Sequence, residues 1–189
     1  MDGFMPGEEC QSCRGKCCRE HGCSLSPKDM EQALIREGLC VSLSQLEEEE
    51  LYKVILGLLQ KECGRELYAI DRFGSAHGSV FYLRMRHKCH TFIGVDAMGE
   101  CIALTPEGCS LNEEQRPKGG RFLKSSPDGY CEQYYTQEMM EIDWGPYQKV
   151  LSAIWQQYEA LFQNDGTFDR CEEDWFAYMR SERERMGNR

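Results

Sequence analysis

Apolar and aromatic residues recur in steps of three and four from Tyr147 onward: Tyr147, Val150, Leu151, Ile154, Trp155, Tyr158, Leu161 and Phe162. That spacing lines one side of a 3.6-residue helix, and it is the clearest periodicity in the chain, predicting helix over 137–163. A loop at Asn164-Asp165-Gly166 then leads to a last helix over 169–186, capped by Asp169 and carrying Cys171, Trp175, Tyr178 and Met179. Leu46, Leu51, Val54, Ile55, Leu58 and Leu59 form a second stripe, in a helix that begins near Ser42 or Ser44 and stops before Gly64. Its run Glu47 to Glu50 falls in the first turns, where carboxylates suit the positive end of the helix dipole, and reads as a solvated face. Upstream, Ser26 can cap, Pro27 suits the first helical position and Asp29 follows three residues after the cap, so a helix over 27–37 ends at Gly38.

The period changes to two in the centre. Residues 66–72 and 79–86 are rich in β-branched and aromatic types, and Phe73-Gly74-Ser75-Ala76-His77-Gly78 between them predicts a hairpin, with His77 in its turn. Val80, Tyr82 and Arg84 alternate with Phe81, Leu83 and Met85, so neither face is cleanly apolar and the sheet is expected to be small or partly covered. Two stretches show no period at all. The first 26 residues read as a loop rich in Cys and Gly, and 89–135 is irregular, with turns at Gly99 and Gly108 and a Pro117-Lys118-Gly119-Gly120 loop. In both, cysteines stand where an apolar stripe is missing.

Composition gives those cysteines their weight. The chain has 189 residues, twelve of them Cys, and its 41% hydrophobic fraction counts the cysteines, so the apolar core is thin. A net charge of −10 works against binding phosphate backbones or anionic lipid, so neither nucleic acid nor membrane is expected as a partner. Met1 to Cys10 has neither a positive n-region nor an apolar h-region, and no long apolar run follows, which points to a cytoplasmic protein. Thiols there are kept reduced, so clustered cysteines point to metal or redox chemistry before disulfides.

The densest cluster is Cys10-Gln-Ser-Cys13-Arg-Gly-Lys-Cys17-Cys18-Arg-Glu-His21-Gly-Cys23. Two cysteines separated by two residues around a turn can both reach one ion, the spacing of many zinc and iron–sulfur sites. Arg14, Lys16 and Arg19 favour thiolates nearby, and His21 and Cys23 can complete a shell. The vicinal Cys17-Cys18 pair faces one centre only in a turn or at a helix start; otherwise each serves a different metal. A dispersed group follows: Cys89 with His87 and His90 close by, then Cys101, Cys109 and Cys131. Four plus four permits two tetrahedral sites, or one cluster and one zinc, or a single site drawing on both groups. Cys40, Cys63 and Cys171 lie on or beside predicted helices and read as packing residues. Arg116, Lys118, Arg121 and Lys124 surround two glycines; the stretch reads first as a solvated loop, and otherwise as a nest whose amides bind a phosphate or carboxylate. The chain carries no Gly-x-Gly-x-x-Gly, Walker loop, Gly-x-Ser-x-Gly elbow or His-Glu-x-x-His, so the enzyme classes built on them lack support.

The opening Cys10-x2-Cys13-x-Gly15-x-Cys17-Cys18, with Leu25-Ser26-Pro27-x-Asp29 after it and Glu107-Gly108-Cys109-x-Leu111 and Arg116-Pro117 later, resembles the YkgJ-type cysteine-cluster family. Its members are described as zinc- or iron-chelating domains. The resemblance covers about 8–38 and 89–135 and implies that thiolates of the two regions share a metal. Where the family has Arg-Pro-x-x-Cys-Arg, this chain has Arg116-Pro117-Lys118-Gly119-Gly120-Arg121, so Gly120 stands at an expected ligand. Either Cys131 or Cys101 substitutes, or the shell is one ligand short and open.

The expectation is therefore an α+β fold: a small Cys-rich, metal-centred domain over 1–135, with short β-hairpins and helices within 27–62, and a helical extension over 136–189 packed on it. Its expected ligands are Cys10, Cys13, Cys17, Cys18, Cys89, Cys101, Cys109 and Cys131, its cofactor zinc or an iron–sulfur cluster, and its anion loop Arg116, Lys118 and Arg121. Two other functions fit the residues: a metal- or cluster-dependent transferase or redox enzyme with an open coordination position, and a disulfide-stapled binding module.

Overall fold

The computed structural model describes residues 18, 23–36, 38–39, 42–59, 68–85, 101, 103–105, 108–124 and 132–165. Strand β1 (Cys23–Ser24) leads directly into helix α1 (Pro27–Arg36). The junction is a reciprocal cap. Ser26 donates its backbone N–H and its hydroxyl to Asp29 Oδ2 at 2.7 and 2.8 Å, and the Asp29 N–H returns to Ser26 Oγ at 3.3 Å. The helix buries Met30, Ala33 and Leu34. The second helix is shorter than its stripe suggests: a 3₁₀ turn, Leu43–Gln45, precedes α2 (Glu48–Leu59). Glu31 of α1 explains the division, because its Oε1 accepts from the Leu43 N–H and the Ser42 hydroxyl, both at 2.8 Å, and anchors the turn as a separate unit. Leu51, Ile55, Leu58 and Leu59 then face the core.

Strands β2 (Tyr68–Ser75) and β3 (Gly78–Met85) pair antiparallel from Tyr68↔Met85 to Ser75↔Gly78, with β1 on the other side of β3, giving the order β1-β3-β2. The turn is only Ala76-His77, tighter than the six-residue connection read from the sequence. Gly78 at φ +120° lets the chain reverse that sharply, a conformation L side chains rarely adopt. The sheet is also better covered than its mixed alternation predicts. Residues directly opposed across an antiparallel pair share a face, so Cys23, Tyr68, Ile70, Leu83 and Met85 lie on one side and Ala69, Asp71, Tyr82 and Arg84 on the other. Both sides are buried: Leu83 is 0% exposed, Arg84 1% and Asp71 2%. The polar side tolerates burial because Arg84 Nη1 donates to Asp71 Oδ2 at 2.8 Å and the Tyr82 hydroxyl reaches the same oxygen at 3.3 Å. Arg84 Nε and Nη2 meet no acceptor among the described residues, and each such buried donor costs roughly 1–3 kcal/mol.

Short elements follow: the ribbon β4 (Leu104–Thr105) with β5 (Gly108–Cys109), a 3₁₀ turn Glu113–Gln115, the single-turn helix α3 (Lys118–Arg121), and the ribbon β6 (Leu123–Lys124) with β7 (Glu132–Gln133). The Pro117-to-Gly120 stretch, read as a loop, thus enters a helical turn. The long helix expected over 137–163 is two, α4 (Gln137–Trp144) and α5 (Gln148–Asp165), joined by a 3₁₀ turn at Gly145–Tyr147. Pro146 has no N–H to continue the ladder, so the axis breaks there. The α5 stripe Val150, Leu151, Ile154 and Trp155 is buried. Trp155 packs on Phe81 with ring centroids 5.6 Å apart, and the Gln148 amide closes both backbone groups of Phe81, at 2.8 and 2.7 Å. Trp144 donates its Nε1–H to the Leu25 carbonyl at 2.9 Å, so the helices after 136 share one continuous core with β1, α1, α2 and the sheet. The architecture is α+β, helices with small antiparallel sheets. Among the described residues no helix is long and apolar enough to cross a membrane. The expected helix over 169–186 lies outside the described residues.

Candidate metal centre

Cys101 and Cys109 of the central segment lie within electrostatic reach of Cys23 in β1. Cys23 closes β1 against β3, opposite Met85. Cys101 is buried, and its N–H donates to the Cys18 carbonyl at 2.8 Å, which ties the end of the N-terminal motif to the central segment. Cys109, exposed, ends the β4–β5 ribbon opposite Leu104. Burial pushes the Cys23 thiol well above its ordinary range, and the sulfurs of Cys101 and Cys109 and the Asp29 carboxylate, all near enough to repel a thiolate, push it further; the Gly120 amide pulls the other way. No disulfide joins Cys18, Cys23, Cys101 and Cys109 to one another.

Glycines let these segments approach. A Cβ on Gly119 would stand 2.7 Å from the Ser24 carbonyl oxygen and 2.8 Å from its nitrogen, so α3 can lie against β1 only without one. A Cβ on Gly120 would stand 3.1 Å from Cys23 Sγ. The position where the family resemblance expects a cysteine therefore abuts a cysteine delivered from elsewhere in the chain. The donor set is soft thiolate chemistry, suited to zinc or iron–sulfur. In this arrangement no group of three His, Cys, Asp or Glu side chains among the described residues is placed to hold a metal ion.

The basic loop is occupied by the protein's own acids. The Lys118 N–H donates to Asp29 Oδ2 at 2.8 Å and Arg121 Nη2 to Asp29 Oδ1 at 2.9 Å, while Lys118 Nζ pairs with Asp143 at 2.7 Å. Arg116 Nε bonds the Leu111 carbonyl at 3.2 Å, and Arg121 Nη1 bonds the Arg116 carbonyl. Tyr135 donates to Asp143 at 2.8 Å, and the Lys118 ammonium lies 4.5 Å from its ring centroid. The carboxylate seated on this stretch is Asp29, which binds α3 to the α1 cap. Beside it a cavity of about 260 Å³ is bounded by Tyr68, Met85, Ala103, Ser110, Leu111 and Pro117, next to the segments that carry Cys101 and Cys109.

Of the expected ligands, Cys18, Cys101 and Cys109 are brought into this region, while Cys10, Cys13, Cys17, Cys89 and Cys131 lie outside the described residues, as do His21, His87, His90, Cys40, Cys63 and Cys171. His77 sits in the hairpin turn, its N–H on Ser75 Oγ at 3.1 Å. Cys23, which the sequence offered only as able to complete a shell, is the residue around which the others gather. Its signal was faint: the last cysteine of the N-terminal cluster, two positions before Leu25 of the Leu25-Ser26-Pro27 cap, with no cysteine at metal-ligand spacing downstream. No family model, curated protein or solved structure matches the chain.

Proposed function

We propose that the protein binds zinc or an iron–sulfur cluster through cysteine thiolates, in a reducing, cytoplasmic setting, with Cys23, Cys101 and Cys109 as the nucleus of the centre. Cys18 stands beside them, and Cys10, Cys13, Cys17, Cys89 and Cys131 are the reserve from which the shell is completed, as the resemblance to the YkgJ-type cluster implies. The observation that carries the reading is the convergence of three thiols from segments far apart in the chain, one of them packed against the glycine at the expected ligand position. A buried thiol whose pKa is raised by burial and by neighbouring sulfurs, as that of Cys23 is, has a strong reason to exchange its proton for a cation.

Metal analysis of an anaerobic preparation tests it: a stoichiometric amount of zinc or iron is expected, and substoichiometric amounts of both overturn it. Cys109→Ser separates ligation from folding, since an exposed side chain can be changed without a cavity; lowered metal content with an unchanged fold is expected. A transplant locates the ligand. Cys23→Ser loses metal, and Cys23→Ser combined with Gly120→Cys regains it, because the new sulfur grows from a Cβ site 3.1 Å from the old one. Full metal content in Cys23→Ser, Cys101→Ser and Cys109→Ser alike would show that the thiols meet for packing alone.

A second reading follows from the cavity of about 260 Å³ beside these segments: a centre with an open coordination position, acting on a small molecule held there. A four-thiolate spectrum in the cobalt-substituted protein, unmoved by small ligands, would decide for a closed structural site.

A further inference from the structure

Among the described residues, two charged side chains line the cavity of about 260 Å³, Asp29 and Arg36. Asp29 is spent, because Ser26, the Lys118 amide and the Arg121 guanidinium already bond its two oxygens. Arg36 is not. The last residue of α1, it makes a single bond among the described residues, from Nη2 to the Tyr68 hydroxyl at 3.4 Å, so most of its five N–H donors are left over. The Tyr68 oxygen accepts in that bond, and its own O–H meets no acceptor among the described residues. A guanidinium and a phenol side by side therefore offer donors for both oxygens of one carboxylate. Much of the remaining wall is apolar, with Leu25, Met85 and Leu111 in it. Tyr68 and Met85 stand on the sheet face that carries Cys23, and Ser110, also in the wall, directly follows Cys109, so the cavity adjoins the thiol centre.

We propose that this cavity binds a short aliphatic carboxylate, with its oxygens on Arg36 and Tyr68 and its hydrocarbon body against Leu25, Met85 and Leu111. The proposal names the class of small molecule for the open-centre reading above, and rests on that reading for what the ligand does there. Charge selects a monoanion: one guanidinium is unmatched, and a second negative charge would face Asp29 with no cation left to answer it. Size selects a short chain, since the volume falls below the roughly 300–1,000 Å³ of sites for drug-sized ligands. The apolar wall supplies the affinity that a partly exposed charge contact lacks, about fourfold for each methylene it buries.

The test is thermal unfolding of the whole chain in sodium isovalerate, with chloride holding ionic strength constant. A saturable rise in Tm is expected. Acetate, which lacks the apolar body, and isovaleramide, which lacks the charge, should each need a concentration roughly tenfold higher or more for half the rise. Arg36 is exposed, so Arg36→Gln keeps the fold while raising the half-saturating concentration of isovalerate roughly ten- to a hundredfold. No saturable rise, acetate or isovaleramide matching isovalerate, or an unchanged response in Arg36→Gln would overturn the proposal. The cobalt-substituted protein separates this site from the open centre. Isovalerate binding through Arg36 with unmoved cobalt bands supports the carboxylate site and sinks the open coordination position, whereas full metal content with no isovalerate binding sinks the carboxylate site and leaves the thiolate centre standing.

Discussion

Asp29 accepts four hydrogen bonds, two from Ser26, one from the Lys118 amide and one from Arg121, while itself only 6% exposed. It caps α1 and at the same time holds α3 against β1. Removing it leaves a guanidinium and several N–H groups without their acceptor, so Asp29→Ala should cost about 3–5 kcal/mol in urea unfolding. A loss below about 1 kcal/mol would mean the network is incidental. Its capping role was legible, since Ser26 and Asp29 stand at capping-box spacing; its bonds to residues 118 and 121 were not, because nothing local links positions so far apart. Two glycines make a contrasting pair. Gly57 on α2 is exposed with nothing within 4 Å of an added Cβ, so Gly57→Ala should stabilise by roughly 0.5–1 kcal/mol. Gly119→Ala drives a methyl into the Ser24 backbone and should destabilise by about 1–3 kcal/mol. Chemical denaturation of both variants checks the opposite signs.

Among the elements, α5 was the most legible, because a stripe at steps of three and four survives any register of its neighbours. Its Ile154 is fully buried, and Ile154→Ala should cost about 3 kcal/mol, whereas Lys149→Ala, which breaks an exposed pair with Glu48 on α2, should cost less than about 0.5 kcal/mol. Comparable losses in the two would show that surface pairing, not the stripe, docks the helix. Element ends were less legible. The break at Gly145-Pro146 carried its own punctuation, yet the stripe was strong enough to be read straight through it. The split before α2 depends on Glu31, a residue of another helix, and the tightness of the hairpin on strands that pair to their last residue.

At the scale of the whole molecule, burial sets a pH dependence. The Cys23 thiol and the Tyr82 and Tyr135 phenols all have raised pKa values, chiefly through desolvation, with Cys101, Asp71 and Asp143 respectively among the further causes. Each group holds its proton more tightly folded than unfolded, so its contribution is complete below the unfolded value, about 8.5 for Cys and about 10 for Tyr, and is lost as pH rises through the folded one. The Tm of metal-free protein should therefore fall progressively above about pH 8.5, and zinc loading should delay the fall, because bound thiolates no longer have a proton to lose. A metal-free Tm rising through that range would contradict the sign. The amino-acid sequence by itself determined the helical faces, the α1 cap, the hairpin and the choice of sulfur as the candidate chemistry, because those depend on residue type and on spacings of a few positions. Only the tertiary structure decided that Cys23 lies near Cys101 and Cys109, that Asp29 occupies the basic loop, and that Arg84 is buried against Asp71. Each of these is a meeting of residues distant in the chain, set by how helices and strands close around a common core.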